Sequence, residues 1–537
     1  MIVRRGKRLG NPMAFAFGMA GVVLLAASPL GSAYAQSSTG APVVDAPDAP
    51  PPPTTATIAP SSPISVTTVG AQPLAQLDLF SAGRQTGLGQ DLWKGSSADI
   101  ARIVIPTLAD APLSPASAAL GRDLLATASM APDGAGNDAA LAAARASAVL
   151  ALGDAEGAAD ILDHTPGVSG SAALSRVAAE AALITGRNDK ACAIGDALAS
   201  DRDGIYWLRL RAFCQALAGK TDMAQLTFTL ANQQLRDPYF ARLLGALLAG
   251  GADAGDASLR NGLDFALSVQ LRLDLGPALP TASRAVAQQL AGSPVAPGVP
   301  LPPLAGAAAA TPPPPPPPPT EADVLNALRA APNFSAYAET AKAMKPKIVQ
   351  LVELKTALTA PVALATAAIV ANDLSDADKI RAGLTVDGAG GVDVLDVTIL
   401  DATLAAARGQ PDPSLIGRLV QLGQTSDSRE RNRAQSAVML LAALAPSLDP
   451  GVRAELAAFS LPADGGPAAR LIAMETAVGD GHKGEAGLLA IWATEAEGEV
   501  GPGLDDRIRI EQALARLGMS ANARTFAVEG LAQLQAH

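Results

Sequence analysis

Aromatic side chains are scarce in this chain: three Trp, four Tyr and ten Phe make up 3% of 537 residues. The cores must therefore be built from Ala, Leu, Val and Ile, which suits closely packed helices better than aromatic-rich sheets. Few rings are left to serve as sugar platforms. Histidine is rarer, with only His164, His482 and His537, each in an expected loop or at the last position, where a solvated role is the default. The paired-histidine helix of zinc proteases and the Gly-x-Ser-x-Gly nucleophile elbow are both missing. Two cysteines are too few for a disulfide framework, and with no histidine nearby they do not make a metal site. Basic residues are outnumbered, 40 against 51 acidic, for a net charge of −11. Nucleic acid and anionic lipid are therefore poor partners.

Long apolar runs are confined to the N-terminus. Arg4, Arg5, Lys7 and Arg8 precede an apolar stretch over 13–30, and Ala33-Tyr34-Ala35 stands ahead of Gln36. This is the pattern of a secretory signal peptide over residues 1–35. Gly6-Lys7 after the arginine pair argues for the general secretory route over twin-arginine export, and no cysteine marks a lipoprotein site. The alternative is an uncleaved N-terminal membrane anchor, since the run is near the lower length limit for a span. Cleavage would remove four positive charges and no negative ones, taking the net charge from −11 to −15. With no second apolar run, the expectation is a soluble protein with no membrane span after signal removal. High Ala, Gly and Pro use suggests a GC-rich Gram-negative bacterium, hence the periplasm.

What is abundant is alanine, leucine and proline. Residues 36–63 are dominated by Pro, Ala, Ser and Thr and are expected to be a disordered tether. Residues 293–320 form a second break with eight consecutive prolines at 312–319. Those eight would make a polyproline II rod of roughly 25 Å at about 3.1 Å per residue, a spacer before a ligand for aromatic grooves. The chain is thus expected to be all-α, with helical bodies over 64–292 and 321–537. Residues 64–69 are β-branched and fit a short strand or extended chain. Helix starts are marked by Ser96-Ser97-Ala98-Asp99 and Ser114-Pro115; Asp412-Pro413 and Asp449-Pro450 mark loops or further starts.

A fixed interval organises the first body. Gly153, Gly186 and Gly219 are 33 residues apart, each followed five positions later by Ala158, Ala191 and Ala224 and preceded seven earlier by Ala146, Ala179 and Ala212. Gly481 and Gly518, followed by Ala486 and Ala523, repeat this grammar at an interval of 37. The pattern resembles the tetratricopeptide repeat, in which glycine closes the first helix and small residues lie where the helices cross. Tyr206-Trp207 falls near the family's early aromatic, whereas its other aromatic positions hold mostly Ala, Val or Gln. A generic alanine-rich bundle is the alternative. The resemblance implies an α-solenoid whose first helices form a concave binding face, with Tyr206, Arg209, Arg176 and Arg211 as candidates for partner binding.

Cys192 lies early in the second helix of one such repeat and Cys214 late in the first helix of the next. About a turn near 201–204, antiparallel partners have numbers summing to about 404 to 406, so the two face each other. In an oxidising compartment they would form a disulfide; otherwise they are two buried thiols.

Apparent motifs resolve into connectors. Gly219-Lys220-Thr221 lacks the earlier glycine of a phosphate loop, that position being Cys214. Asp201-Arg202-Asp203-Gly204 lacks the ligands of a calcium loop, with Ala199 and Leu210 at key positions. Gly167-Val168-Ser169-Gly170 and the glycines at 388, 390 and 391 read as linkers. No catalytic, cofactor-binding or metal residue is assigned. The expected function is non-enzymatic: a periplasmic helical-repeat scaffold that binds proteins of a cell-envelope assembly. The alternatives are a structural spacer acting through its octaproline rod and, less favoured, a peptidoglycan-active enzyme using paired carboxylates.

Overall fold

In the computed structural model, residues 78–536 are described apart from 111, 252–253, 293–319, 355–356, 385–391, 411, 446 and 460–466. The expected leader, tether, strand at 64–69, octaproline stretch and the glycines at 388–391 lie outside the described residues, as does His537. Within them the regular elements are helical. The first group comprises α1 (Ala98–Thr107), α2 (Pro115–Ala126), α3 (Ala139–Ala151), α4 (Ala155–His164), α5 (Ala172–Ile184), α6 (Asn188–Ala197), α7 (Ile205–Leu217), α8 (Thr221–Gln234), α9 (Pro238–Leu248), α10 (Gly262–Gln270) and α11 (Arg284–Gly292). Next come α12 (Glu321–Arg329), α13 (Phe334–Glu353), α14 (Pro361–Val370), α15 (Leu374–Ala382), α16 (Val394–Ala407), α17 (Pro413–Thr425), α18 (Ser428–Leu444) and α19 (Pro450–Ala457). The chain closes with α20 (Ala468–Gly479), α21 (Lys483–Thr494), α22 (Leu504–Arg516) and α23 (Ser520–Gln533).

Side-chain caps set many of the starts. Ser97 accepts from the Asp99 amide at 3.1 Å and Ser114 from the Ser117 amide at 3.3 Å. Ser114, Asp237, Asp412 and Asp449 each stand before a proline in the first turn, where a missing N–H costs nothing. Thr320, expected to belong to the proline-rich break, instead forms a capping box with Asp323 and begins α12. His164, expected in a loop, is the last residue of α4, its ring bonded to the Asp160 carbonyl one turn back.

The recurring glycines share one backbone solution. Gly153, Gly186, Gly219, Gly481 and Gly518 all have φ between 70° and 90°, left-handed values that favour glycine. Each N–H reaches back to close the preceding helix, and the next N–H reaches one residue further, as in Gly186 to Leu183 (3.1 Å) and Arg187 to Ala182 (2.7 Å). This double bond satisfies the last carbonyls of the first helix and turns the chain into the second. The alanines seven before and five after are fully buried in the first-body repeats, so the paired helices approach through methyl groups. The same turn recurs at Asn372 (φ 55°), between Ala365 and Ala377, and at Gly409, again 37 residues apart. Asparagine is among the few side chains that tolerate this conformation, and its presence hides the repeat from a glycine-based pattern.

Cys192 on α6 and Cys214 on α7 form a disulfide with Cα atoms 5.6 Å apart, joining the second helix of one hairpin to the first of the next. The bridge closes a sequence separation of 22, and loop entropy of that size corresponds to about 3 kcal/mol. Reductant should therefore lower the urea midpoint of the wild type and leave that of a Cys192→Ala/Cys214→Ala double variant, already lowered, unchanged. Equal midpoints for oxidised and reduced wild type would show that the bridge adds nothing to the stack.

Helices before and after the proline-rich break pack against each other, and the described residues from 78 onward fall in one compact unit. α2 packs against α21 and α23, α1 against α21, and α23 against α16. The largest core accordingly mixes Trp93, Leu124 and Val149 with Met474, Ile491 and Phe526. Glycine permits the join: the Gly484 amide donates to the Leu92 carbonyl at 2.9 Å, and a Cβ there would overlap the Trp93 ring. A Cβ on Gly487 would lie 2.8 Å from Leu124. The C-terminal hairpins thus sit between α1–α2 and α16, a long-range arrangement that no local pattern announces.

Candidate functional site

The first helices of three successive hairpins, α3, α5 and α7, line a groove of about 890 Å³ together with α9, α10 and the start of α11. Its surface is small and apolar along α3 and α5, at Ala143, Ala144, Ala173 and Val177, and strongly charged elsewhere. Three of the four residues expected to bind a partner come together here: Arg176, Tyr206 and Arg209. Arg211 does not. Two residues beyond Arg209, it projects about 200° further round the helix, and its guanidinium donates to the Arg202 carbonyl at 2.9 Å in the turn before α7.

Arginine over aromatic is the repeated device of the groove. Arg176 lies 5.1 Å from the centre of the Tyr206 ring, Arg209 5.6 Å from Phe240, and Arg260 4.3 Å from Tyr239. Asp237 ties the last two arginines together, at 3.4 Å from Arg209 and 3.0 Å from Arg260, while capping the start of α9. Burial opposes its charge, yet the hydrogen bond from Arg260 and the α9 amide hold its carboxyl below the usual range. Arg260 also pairs with the buried Asp264 at 2.6 Å.

Glu180 on α5 accepts from the Gly262 amide at 2.6 Å, fastening α10 across the groove. Burial pushes its pKa up despite that bond, and burial beside Glu180 pushes the Tyr206 hydroxyl well up. Burial likewise pulls the Arg284 guanidinium down, partly offset by Asp110 and Glu499. Glu180, Arg260 and Arg284 escape the sequence pattern because α10 and α11 return to α5 and α3 from some 80 to 140 residues away; the one local hint is the Arg260–Asp264 pair at i and i+4.

A second cavity of about 510 Å³ surrounds Arg507 and Gln533, and there the guanidinium is committed to Glu529 at 2.9 Å. Among the described residues no group of three His, Cys, Asp or Glu is placed to hold a metal ion, and no helix is long and apolar enough to cross a membrane. No known protein family, curated protein or solved structure matches this chain.

Proposed function

We propose that this chain is an exported, tetratricopeptide-like scaffold of the bacterial cell envelope whose groove holds a segment of a partner protein. The observation that carries the reading is the groove itself: it is built on the first helices of hairpins that share one glycine turn and fully buried alanines, the face that stacked helical repeats use for binding. The basic leader-like segment, the acid excess and the disulfide support export to an oxidising compartment. Function is then recognition without chemistry, with the second set of hairpins extending the platform.

The test is site-specific photo-crosslinking in cells that make the protein. A photoreactive residue placed at Ala173 in the groove should yield a discrete adduct that disappears with Arg176→Glu. The same residue placed at Gln225, on the exposed face of α8, should not yield that adduct. The reading fails if position 173 gives no adduct, or one indifferent to Arg176→Glu.

A further inference from the structure

The ion pairs of the groove are unevenly distributed. Arg209 and Arg260 are neutralised by Asp237 and Asp264, and Asp264 also accepts from Ser258 Oγ at 2.7 Å. Glu180 is engaged by a backbone amide. Arg176 stacks on the Tyr206 ring with the Glu180 carboxylate close enough to feel its charge, and Arg284 feels Asp110 and Glu499, but neither guanidinium makes an ion pair or hydrogen bond among the described residues. Asp110, an exposed carboxylate, also lines this groove. Two guanidinium forks thus remain open, one on α5 and one on α11, in a chain whose net charge is −11.

An acidic ligand is repelled by such a protein everywhere except where cations are free, so placement of the open forks gives direction as well as affinity. Alanines of α3 and α5 line the same groove and leave room for a backbone to lie close, and the groove falls in the upper part of the roughly 300–1,000 Å³ range of ligand clefts.

We infer that the groove selects an extended acidic peptide segment, two of whose carboxylates are gripped by Arg176 and Arg284. This deepens the partner-binding reading above and rests on it. The planar fork matches a carboxylate through two parallel hydrogen bonds, which lysine cannot reproduce.

A random-peptide display library selected on the purified full chain tests this. Enriched peptides should carry an excess of Asp and Glu. A synthetic representative should lose about tenfold in affinity for Arg176→Gln and for Arg284→Gln, with only partial rescue by lysine at either position. Its Gln-for-Glu counterpart should bind poorly, and added salt should weaken the acidic form. Both arginines are at least partly exposed, so an unchanged melting temperature checks that the variants are folded. Enrichment without acidic bias, no enrichment, or affinity indifferent to both substitutions overturns the inference, as does full displacement by free glutamate, which would mark a small-molecule site. If neutral peptides block crosslinking from Ala173, the groove reading survives and the acidic selectivity falls; if nothing occupies the groove by either method, both fall.

Discussion

Arg145→Met is expected to lower stability by about 3–5 kcal/mol, the range for breaking a buried charged network. Arg145 lies on α3 and is 1% exposed. Its Nε donates to the Leu125 carbonyl at 2.7 Å, Nη1 to Phe80 at 3.1 Å, and Nη2 to Ala82 at 2.8 Å and Thr127 at 2.9 Å. The guanidinium also sits 4.9 Å from the centre of the Phe80 ring. Burial pushes its pKa down to about 10, still well above neutral, so the side chain stays charged. One fork therefore ties the end of α2 and the irregular segment before α1 to α3. Methionine fills similar volume but takes the donor from the Leu125, Ala82 and Thr127 carbonyls, Phe80 keeping the Ser129 amide at 3.5 Å, and each such loss is worth about 1–3 kcal/mol if the carbonyl stays dry. Urea denaturation measures the loss, and hydrogen exchange should show residues 79–84 and 125–128 unprotecting first. A change below about 1 kcal/mol would mean that water replaces the guanidinium.

Arg145 also shows where sequence legibility ends. In Ala-Ala-Leu-Ala-Ala-Ala-Arg-Ala-Ser-Ala-Val it looks like the one solvated charge of an apolar helix; its acceptors come from 18 to 65 residues away. By contrast, the turn glycines, the alanine spacing, the caps at Ser97 and Ser114 and the Cys192–Cys214 pairing are legible because each depends on neighbours within one hairpin or the next. Arg176, Tyr206 and Arg209 follow from the same local geometry, while Arg211 shows that a position on a first helix does not suffice without its rotation. Arg260 and Arg284 are illegible because α10 and α11 fold back. The join between α2, α21 and α23 is hidden for the same reason, and Gly484 gives no outward sign that it makes room for Trp93.

The second large effect concerns that join. Arg507 and Glu529, 2% and 4% exposed, pair at 2.9 Å between α22 and α23. The guanidinium also donates to the Phe526 and Pro502 carbonyls and to Gln533, each at 3.1 Å. The other Glu529 oxygen accepts from the Ala116 amide at 2.7 Å, binding the first turn of α2, from the opposite end of the chain. Arg507→Met should cost about 3–5 kcal/mol, because it leaves a buried carboxylate unpaired. Arg507→Met/Glu529→Gln should recover part of that loss, since glutamine carries no charge and still accepts from Ala116. Glu511, one turn beyond Arg507, adds a pH signature. It is fully buried, neither oxygen has a hydrogen-bond partner among the described residues, and burial pushes its pKa well above 4.5, with the Arg507 charge pulling the other way. A carboxyl whose folded pKa is raised supports the fold fully below its unfolded pKa and loses that support as pH rises through the folded one. Removing Arg507 raises the folded value further, so the loss of stability with rising pH should run to higher pH in the variant. An unchanged pH dependence would show that Glu511 does not sense Arg507.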